Sequence, residues 1–508
     1  MLYNEHSSPY YNGDIVMYFK QKSNILFRNY ESFGYITDNR NFGYKQANNN
    51  ANNIGDKIVS QSGAVFLSVL GRKPQTLDEL AIKINKQFTN VNIGTLKNDA
   101  REFYCMLERD GFIVSGETLQ ECDEKDTGFS YNLLGPEMAN FDFSSTNMHP
   151  EKSTQEFFEE YFKDKPQLTN LHIEITSKCN ERCVHCYIPH ANKISVMEPD
   201  LFYDVLKQCK QMRLLHLALS GGEPMMHKNF CDFLRKCKEY DFSVNVLSNL
   251  TLLNNEIITE MKKNRLLGVQ VSLYSMDAAI HDEITQMKGS FEKTKNAIIK
   301  LIENDIPLQI SCPIMKQNKN CYGDVANWAK KHKIHVGEDY VIIARYNHTT
   351  QNLNCRLSVN EIEEVINAKV ANDAKYLEQM DKEAEKKKHT SLNDIVCSVC
   401  HSSVCIADNG NVYPCAGWQD YNVGNVKETS LQEIWDNSEK VKYLRGLRKQ
   451  DFPKCIQCTE KKYCTMCMVR NANEHPWGDP LAVNEYFCDI AKLNRKLILE
   501  WKDKKLNS

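Results

Sequence analysis

Three cysteines stand at Cys179, Cys183 and Cys186, in the run Cys-Asn-Glu-Arg-Cys-Val-His-Cys-Tyr. An apolar stretch, Leu171 to Ile175, reads as a strand ending just before them, so all three thiolates leave one short loop. Three thiolates hold three irons of a 4Fe-4S cluster and leave the fourth iron without a protein ligand. An open metal position marks a place where substrate binds, in contrast to a closed structural site. The spacing alone also suits a zinc knuckle, with His185 or His190 as the fourth ligand.

A second apolar run, Leu215 to Leu219, leads directly into Ser220-Gly221-Gly222-Glu223-Pro224. Paired glycines at a strand end let a ligand approach the backbone closely, because no Cβ stands in the way. The cysteine loop, the aromatic Tyr187 behind it and the Gly-Gly-Glu-Pro element at the next strand together resemble the radical S-adenosylmethionine (radical SAM) enzymes. The resemblance implies that SAM chelates the open iron and that Tyr187, Gly221, Gly222, Glu223 and Pro224 belong to its binding site. One electron from the cluster would then break a SAM carbon–sulfur bond and give a 5′-deoxyadenosyl radical that abstracts hydrogen from a substrate.

These elements need a frame to position them. Further strand-like runs at Phe242–Leu247, Gly268–Leu273, Pro307–Pro313 and Asp339–Ala344 alternate with helical stretches at Lys228–Tyr240, Asn255–Arg265, Phe291–Asn304 and Gly323–Lys333. Alternation of this kind predicts an α/β fold with a parallel sheet. Six units from Leu171 to about Tyr346 fit the partial (β/α)6 barrel of the resembled family. Function in such barrels gathers at the C-terminal strand ends. Ser248 and Asn249 follow the third strand, Ser272 and Tyr274 end the fourth, and Arg345 is expected to end the sixth. By resemblance, Ser272 and Arg345 would contact the SAM ribose or carboxylate, with Ser248 and Asn249 in the same site. His281-Asp282 and Gly289-Ser290-Phe291 also match the family's segment after strand four.

Of twenty cysteines, nine crowd into the last quarter: Cys397, Cys400, Cys405, Cys415, Cys455, Cys458, Cys464, Cys467 and Cys488. They resemble the SPASM extension of radical SAM enzymes, which carries two auxiliary 4Fe-4S clusters. Carried over, Cys400, Cys415 and Cys467 would hold the first and Cys455, Cys458, Cys464 and Cys488 the second. A fourth ligand of the first would be Cys397 or Cys405, and Cys397 can also replace Cys400. Two residues separate Cys464 from Cys467 where the family has three. The Cys-x2-Cys pairs also suit zinc ribbons. The hairpin Ile406–Tyr413, turning at Asp408-Asn409-Gly410-Asn411, suits the first cluster site. Cys209, Cys231, Cys237, Cys312 and Cys321 fall in helical or strand contexts and read as small buried hydrophobes.

A chain of 508 residues holds several domains, and its net charge of −3 points to neither a nucleic-acid nor a membrane-surface binder. No 18-residue apolar run and no basic-then-hydrophobic N-terminus occur, so a cytoplasmic protein with neither membrane span nor secretory signal is expected. Abundant cysteines in a reducing compartment fit metal clusters better than disulfides.

In residues 1–122, short strands are expected at Asp14–Tyr18, Asn24–Arg28 and Gly34–Thr37. Helices are expected at Ile58–Leu70, Thr76–Phe88 and Thr95–Gly111, then a strand at Phe112–Ser115. Thr76-x-x-Glu79 reads as a capping box. This is a winged-helix-like unit. Its last helix sets Lys97, Arg101 and Arg109 against Asp99, Glu102, Glu108 and Asp110, which disfavours DNA. It resembles the recognition element of maturases of ribosomally made peptides, where a leader segment adds as a strand to the open sheet edge. A structural cap on the barrel is the other reading. Gln46–Asn53 reads as a loop and 123–165 as a linker before the barrel at 166–350. A helical bridge at 351–394 includes the solvated charged stretch Glu361–Lys388, and 395–508 form the auxiliary-cluster domain.

The resemblances together imply a radical SAM oxidoreductase with three 4Fe-4S clusters and SAM. Its expected partners are a precursor peptide and an electron donor of flavodoxin or ferredoxin type. The expected outcome is a thioether between a cysteine sulfur and a carbon. Carbon–carbon crosslinking, epimerisation, decarboxylation, sulfatase-type maturation and a non-catalytic iron–sulfur or redox regulator are the alternatives. Asp277, His281 and Asp324 lie near strand ends, and none of them stands out as a catalytic base.

Overall fold

The computed structural model describes residues 16–38, 56–88, 91–126, 158, 160–388 and 391–506. The chain divides into two compact units, 1–157 and 158–508. Gln46–Asn53 lies outside the described residues, as does most of 123–165.

The first unit holds strands β1 (Tyr18–Gln21), β2 (Leu26–Asn29), β3 (Phe33–Thr37) and β4 (Asp56–Ser60) and helix α1 (Gln61–Leu70). β5 (Gln75–Thr76), α2 (Leu77–Asn85), α3 (Ile93–Arg109), β6 (Ile113–Gly116) and α4 (Leu119–Lys125) follow. β1 lies between β5 and β6, and a second antiparallel sheet runs β2-β3-β4. Ile58–Ser60 is strand and not the start of a helix: β-branched Ile58 and Val59 pair with Tyr35 and Gly34, and Ser60 caps α1 by accepting from the Gly63 amide. The Thr76–Glu79 capping box forms in both directions. Asp123 and Asp126 are not linker; both pair with the buried Lys20 at 2.6 and 3.0 Å.

The second unit is built on one nine-stranded sheet. β7 (Asn170–Thr176), β8 (His216–Gly221), β9 (Ser243–Ser248), β10 (Leu267–Ser272), β11 (Leu308–Pro313) and β12 (His335–Asp339) run parallel and in sequence order. Their apolar side chains, among them Ile173, Leu219, Val246, Val271 and Ile310, are buried, as strands covered by helices require. The covering helices are amphipathic; in Phe230–Glu239, Phe230, Phe233, Leu234 and Cys237 form the buried stripe.

The expected sixth strand at Asp339–Ala344 is displaced. β12 ends at Asp339 because its partner β11 ends at Pro313, the residue opposite. Arg345 therefore sits in a loop beyond the strand and does not end it.

The sheet does not stop at β7. β13 (Ser403–Ile406) adds alongside it in parallel, and β14 (Asn411–Tyr413) and β15 (Gly424–Asn425) continue antiparallel. The cysteine-rich segment is thus hydrogen-bonded onto the barrel sheet. The charged bridge is two helices, Val359–Asn372 and Tyr376–Lys388, and it is not wholly solvated. Ile362, Val365 and Ile366 are buried in the main core. Cys209, Cys237 and Cys312 are buried, while Cys231 and Cys321 are half-buried. No helix among the described residues is long and apolar enough to cross a membrane.

Candidate active site

The loop leaving β7 carries Cys179, Cys183 and Cys186, all half-buried and free. Burial pushes the Cys183 thiol well above its ordinary range, with charges on Glu181, Cys186 and Cys179 adding to the effect, so the three sulfurs are neighbours. The loop is pinned from outside. Arg182 and Val184 donate their amides to the carbonyls of Thr285 and Ile284 at 3.0 and 2.9 Å, at the end of helix Ala278–Thr285.

The two glycines at the end of β8 lie against this loop. A Cβ on Gly221 (φ +143°) would come 1.8 Å from the Thr176 carbonyl oxygen, and one on Gly222 would come 2.3 Å from that of Lys178. Only glycine lets the backbone pass this close beneath Cys179. Glu223 is fully buried, and its carboxylate accepts from the amides of Met225 and Asn249 and from the Ser248 hydroxyl, at 3.0, 2.8 and 2.8 Å. Burial nevertheless lifts it to about 7. Asn249 Nδ2 donates to Asn180 Oδ1, next to Cys179, at 3.0 Å. Ser248, Asn249 and Glu223 thus form one brace joining the ends of β8 and β9 to the cysteine loop. Pro224 opens the short turn Pro224–Met226 below it.

Ser272 is a neighbour of the Tyr274 side chain, whose hydroxyl lies 3.4 Å from His185 Nε2. Arg345, although beyond the sixth strand, lies at the same place: its neighbour Tyr346 donates its amide to the Tyr187 carbonyl, and its charge acts on His190. Among the described residues its buried Nε has no hydrogen-bond partner, which suits an incoming carboxylate. Asp277 is not a free base; it caps helix Ala278–Thr285. Asp282 binds the Gly289 and Phe291 amides and the Ser290 hydroxyl, so this pair of segments is a structural turn.

The C-terminal cysteines form two groups. Burial raises Cys415 to about 11, and the nearby Gly417 backbone and the charges of Cys467 and Cys397 also act on it. Cys400 is fully buried against Arg445 with Cys397 as its one thiol neighbour, and burial raises it to about 12. Cys397 and Cys467 are thus the thiols whose charge acts on Cys415, while Cys400 sits against Arg445. The cause is a left-handed turn at Cys400 (φ +59°), held by Arg445 Nε donating to its carbonyl at 2.7 Å. Cys405 is buried in β13 beside Glu174. Cys455, Cys458, Cys464 and Cys488 act on one another electrostatically and form the second group.

Among the described residues no three His, Cys, Asp or Glu side chains converge on a single-ion point. The donor sets are nonetheless those a thiolate-held cluster takes: three thiols on one loop and four thiols in the second group.

Several residues of the site had no motif to mark them. Glu174, 3% exposed, accepts from the Tyr187 hydroxyl at 3.1 Å and from Gln419 Nε2 at 2.6 Å. Its signal was a carboxylate inside the apolar run Leu171 to Ile175. The buried Glu181 and Lys193 beside the cysteine loop carried no such signal.

Residues 173–329 match the radical SAM superfamily, and residues 397–467 match the iron–sulfur cluster-binding domain SPASM. An AdoMet-dependent heme synthase of Methanosarcina barkeri is 27% identical over 330 residues, 58% of this chain and 90% of that protein. The antilisterial bacteriocin subtilosin biosynthesis protein AlbA of Bacillus subtilis is 23% identical over 344 residues, 65% of this chain and 74% of that protein. The structure of Streptococcus suis SuiB bound to precursor peptide SuiA superposes with a TM-score of 0.56 at 14% identity, covering 92% of this chain and 99% of that one. The chain thus carries a radical SAM domain followed by a SPASM iron–sulfur cluster-binding domain.

Proposed function

We propose that this enzyme modifies a ribosomally made precursor peptide, joining a cysteine sulfur to a residue carbon. The observation that carries this reading is the first unit: a three-stranded sheet whose edge strand β4 has β3 on one side and no strand on the other among the described residues. Such an edge takes an extended peptide by main-chain hydrogen bonds. The likeness to SuiB, solved with its precursor peptide, covers nearly the whole chain and supports the same reading.

Cys179, Cys183 and Cys186 would hold the SAM-binding cluster. Cys397, Cys415 and Cys467 would contribute to the first auxiliary cluster, and Cys455, Cys458, Cys464 and Cys488 would hold the second. The bound cofactors supply a hydrogen-abstracting radical and an electron sink. The chain's own part is positioning. Gly221 and Gly222 let the end of β8 pack closely on the cysteine loop, Glu223 holds that floor rigid, and Arg345 would receive the SAM carboxylate. Ser272 and Tyr187 line the same strand ends.

The test is anaerobic incubation of the reconstituted full chain with SAM, a strong reductant and cysteine-containing precursor peptides, read by mass spectrometry. Loss of two hydrogens per crosslink, with one thiol no longer alkylatable, is the expected result. An unchanged peptide beside 5′-deoxyadenosine formation overturns the peptide reading and leaves the radical chemistry standing.

A further inference from the structure

Lys193 is enclosed by the fold, with 6% of its surface exposed. It follows the short turn His190–Asn192, seven positions after the last cysteine of the loop. The backbone around it is stitched down on both sides. Ile194 and Ser195 donate their amides to the Ser177 hydroxyl at 3.1 and 2.9 Å, and the Thr176 hydroxyl donates to the Ser195 carbonyl at 2.7 Å. Asn192 donates to the Tyr346 hydroxyl at 2.7 Å. The side chain therefore has no route to solvent of the kind long lysines ordinarily use.

Its ammonium has one hydrogen-bond acceptor among the described residues, the Glu181 carbonyl at 3.4 Å, and no carboxylate within ion-pair reach. A buried ammonium is stable only beside compensating negative charge. The groups on which its charge acts are Cys179, Cys183, Glu181, His185 and His190. Two of these are thiols of the cysteine loop. Three thiolates around a 4Fe-4S core carry net negative charge, and one unit more after reduction; nearby charge is one of the factors that set the potential of such a centre.

We infer that Lys193 is the fixed counter-charge of the SAM-binding cluster, a positioning residue that favours the reduced state by charge and not by ligation. The inference rests on the assignment of Cys179, Cys183 and Cys186 as that cluster's ligands. A fixed cation close to the thiolates makes the added electron easier to accept, which raises the reduction potential. Arginine preserves the charge at this position, and methionine preserves much of the length without it.

The experiment is a redox titration of the reconstituted full chain and of its K193M and K193R variants, following the reduced-cluster electron paramagnetic resonance signal that SAM perturbs. K193M is expected to need a more negative potential, with a reduction equilibrium lowered about ten-fold, or about 59 mV for one electron. K193R is expected to stay within about two-fold of the wild type. Poor iron loading in K193M that K193R restores supports the same charge role. A K193M cluster that loads fully and titrates with the wild type overturns the inference, as does equal damage in K193M and K193R. Weakened SAM binding at an unchanged potential assigns the ammonium to the SAM carboxylate and overturns it too. A wild-type protein with no SAM-perturbed signal refutes the ligand assignment instead.

Discussion

Glu174 is a buried carboxylate facing hydrogen-bond donors and no cation. Desolvation lifts it to about 7, against the bonds from Gln419 and Tyr187 that favour its charged form, and Asp408 adds charge of the same sign. Tyr346, Tyr413, Cys405 and Cys415 also feel its charge. The folded chain thus holds this proton more tightly than the unfolded one. The stability it contributes is full below about pH 4.5 and is lost as pH rises through about 7, a change on the order of 3 kcal/mol. A glutamine keeps both bonds, since its oxygen accepts from Tyr187 and its amide donates to a turned Gln419. In urea unfolding of the metal-free protein, wild type should lose stability against E174Q over this range. Parallel curves would show that the carboxylate does not titrate there. A residue of this kind is half-legible in sequence: the charge inside an apolar strand is visible, but its partner 245 positions away is not.

At the scale of elements, the cysteine loop is held by helix Ala278–Thr285, whose Asp282 ties it to the helix that follows. Asp282 caps the start of helix Ser290–Glu303 through the Gly289 and Phe291 amides and the Ser290 hydroxyl. The preceding helix end offers the carbonyls of Ile284 and Thr285 to the loop. D282A should lower stability by about 1–2 kcal/mol and also reduce iron retained at Cys179, Cys183 and Cys186. Thermal unfolding and iron content check both; a lower Tm with full iron would confine Asp282 to its helix. The alternation of strand and helix was legible because parallel strands buried on both faces read as apolar runs. The sixth strand was misplaced because Val341 to Ala344 is just as apolar. What ends β12 is its partner running out at Pro313, a fact of pairing and not of propensity.

At the scale of the molecule, barrel and cluster domain are one body. β13 extends the barrel sheet at β7, the Ser195 hydroxyl donates to Asp408 at 2.8 Å, and Asn473 donates to the carbonyls of Ala344 and Gly417 at 3.0 and 2.8 Å. The segment 453–467 is different. It has only short helical turns at Pro453–Ile456 and Lys461–Tyr463 between its four cysteines. If its thiols hold a cluster, that metal adds to the order supplied by Lys462 pairing with Glu385 and Arg495 with Glu460. Removing iron by chelation should open this segment to hydrogen exchange well before the sheet, whose strands are buried and paired. Equal protection of 453–467 in the holo and metal-free forms would refute a cluster there.

The sequence by itself determined the chemistry, because cluster and SAM motifs are local: Cys179, Cys183 and Cys186 fall within one turn of chain, and Gly221-Gly222 within one strand end. It also determined the α/β class, through hydrophobic period and capping. Only the tertiary structure set Cys400 against Arg445, through a left-handed turn that buries its thiol. Only the tertiary structure brought Lys193 under the cluster loop and Glu174 to Gln419. Burial and long-range pairing depend on how separate segments stack, and no spacing along the chain encodes them.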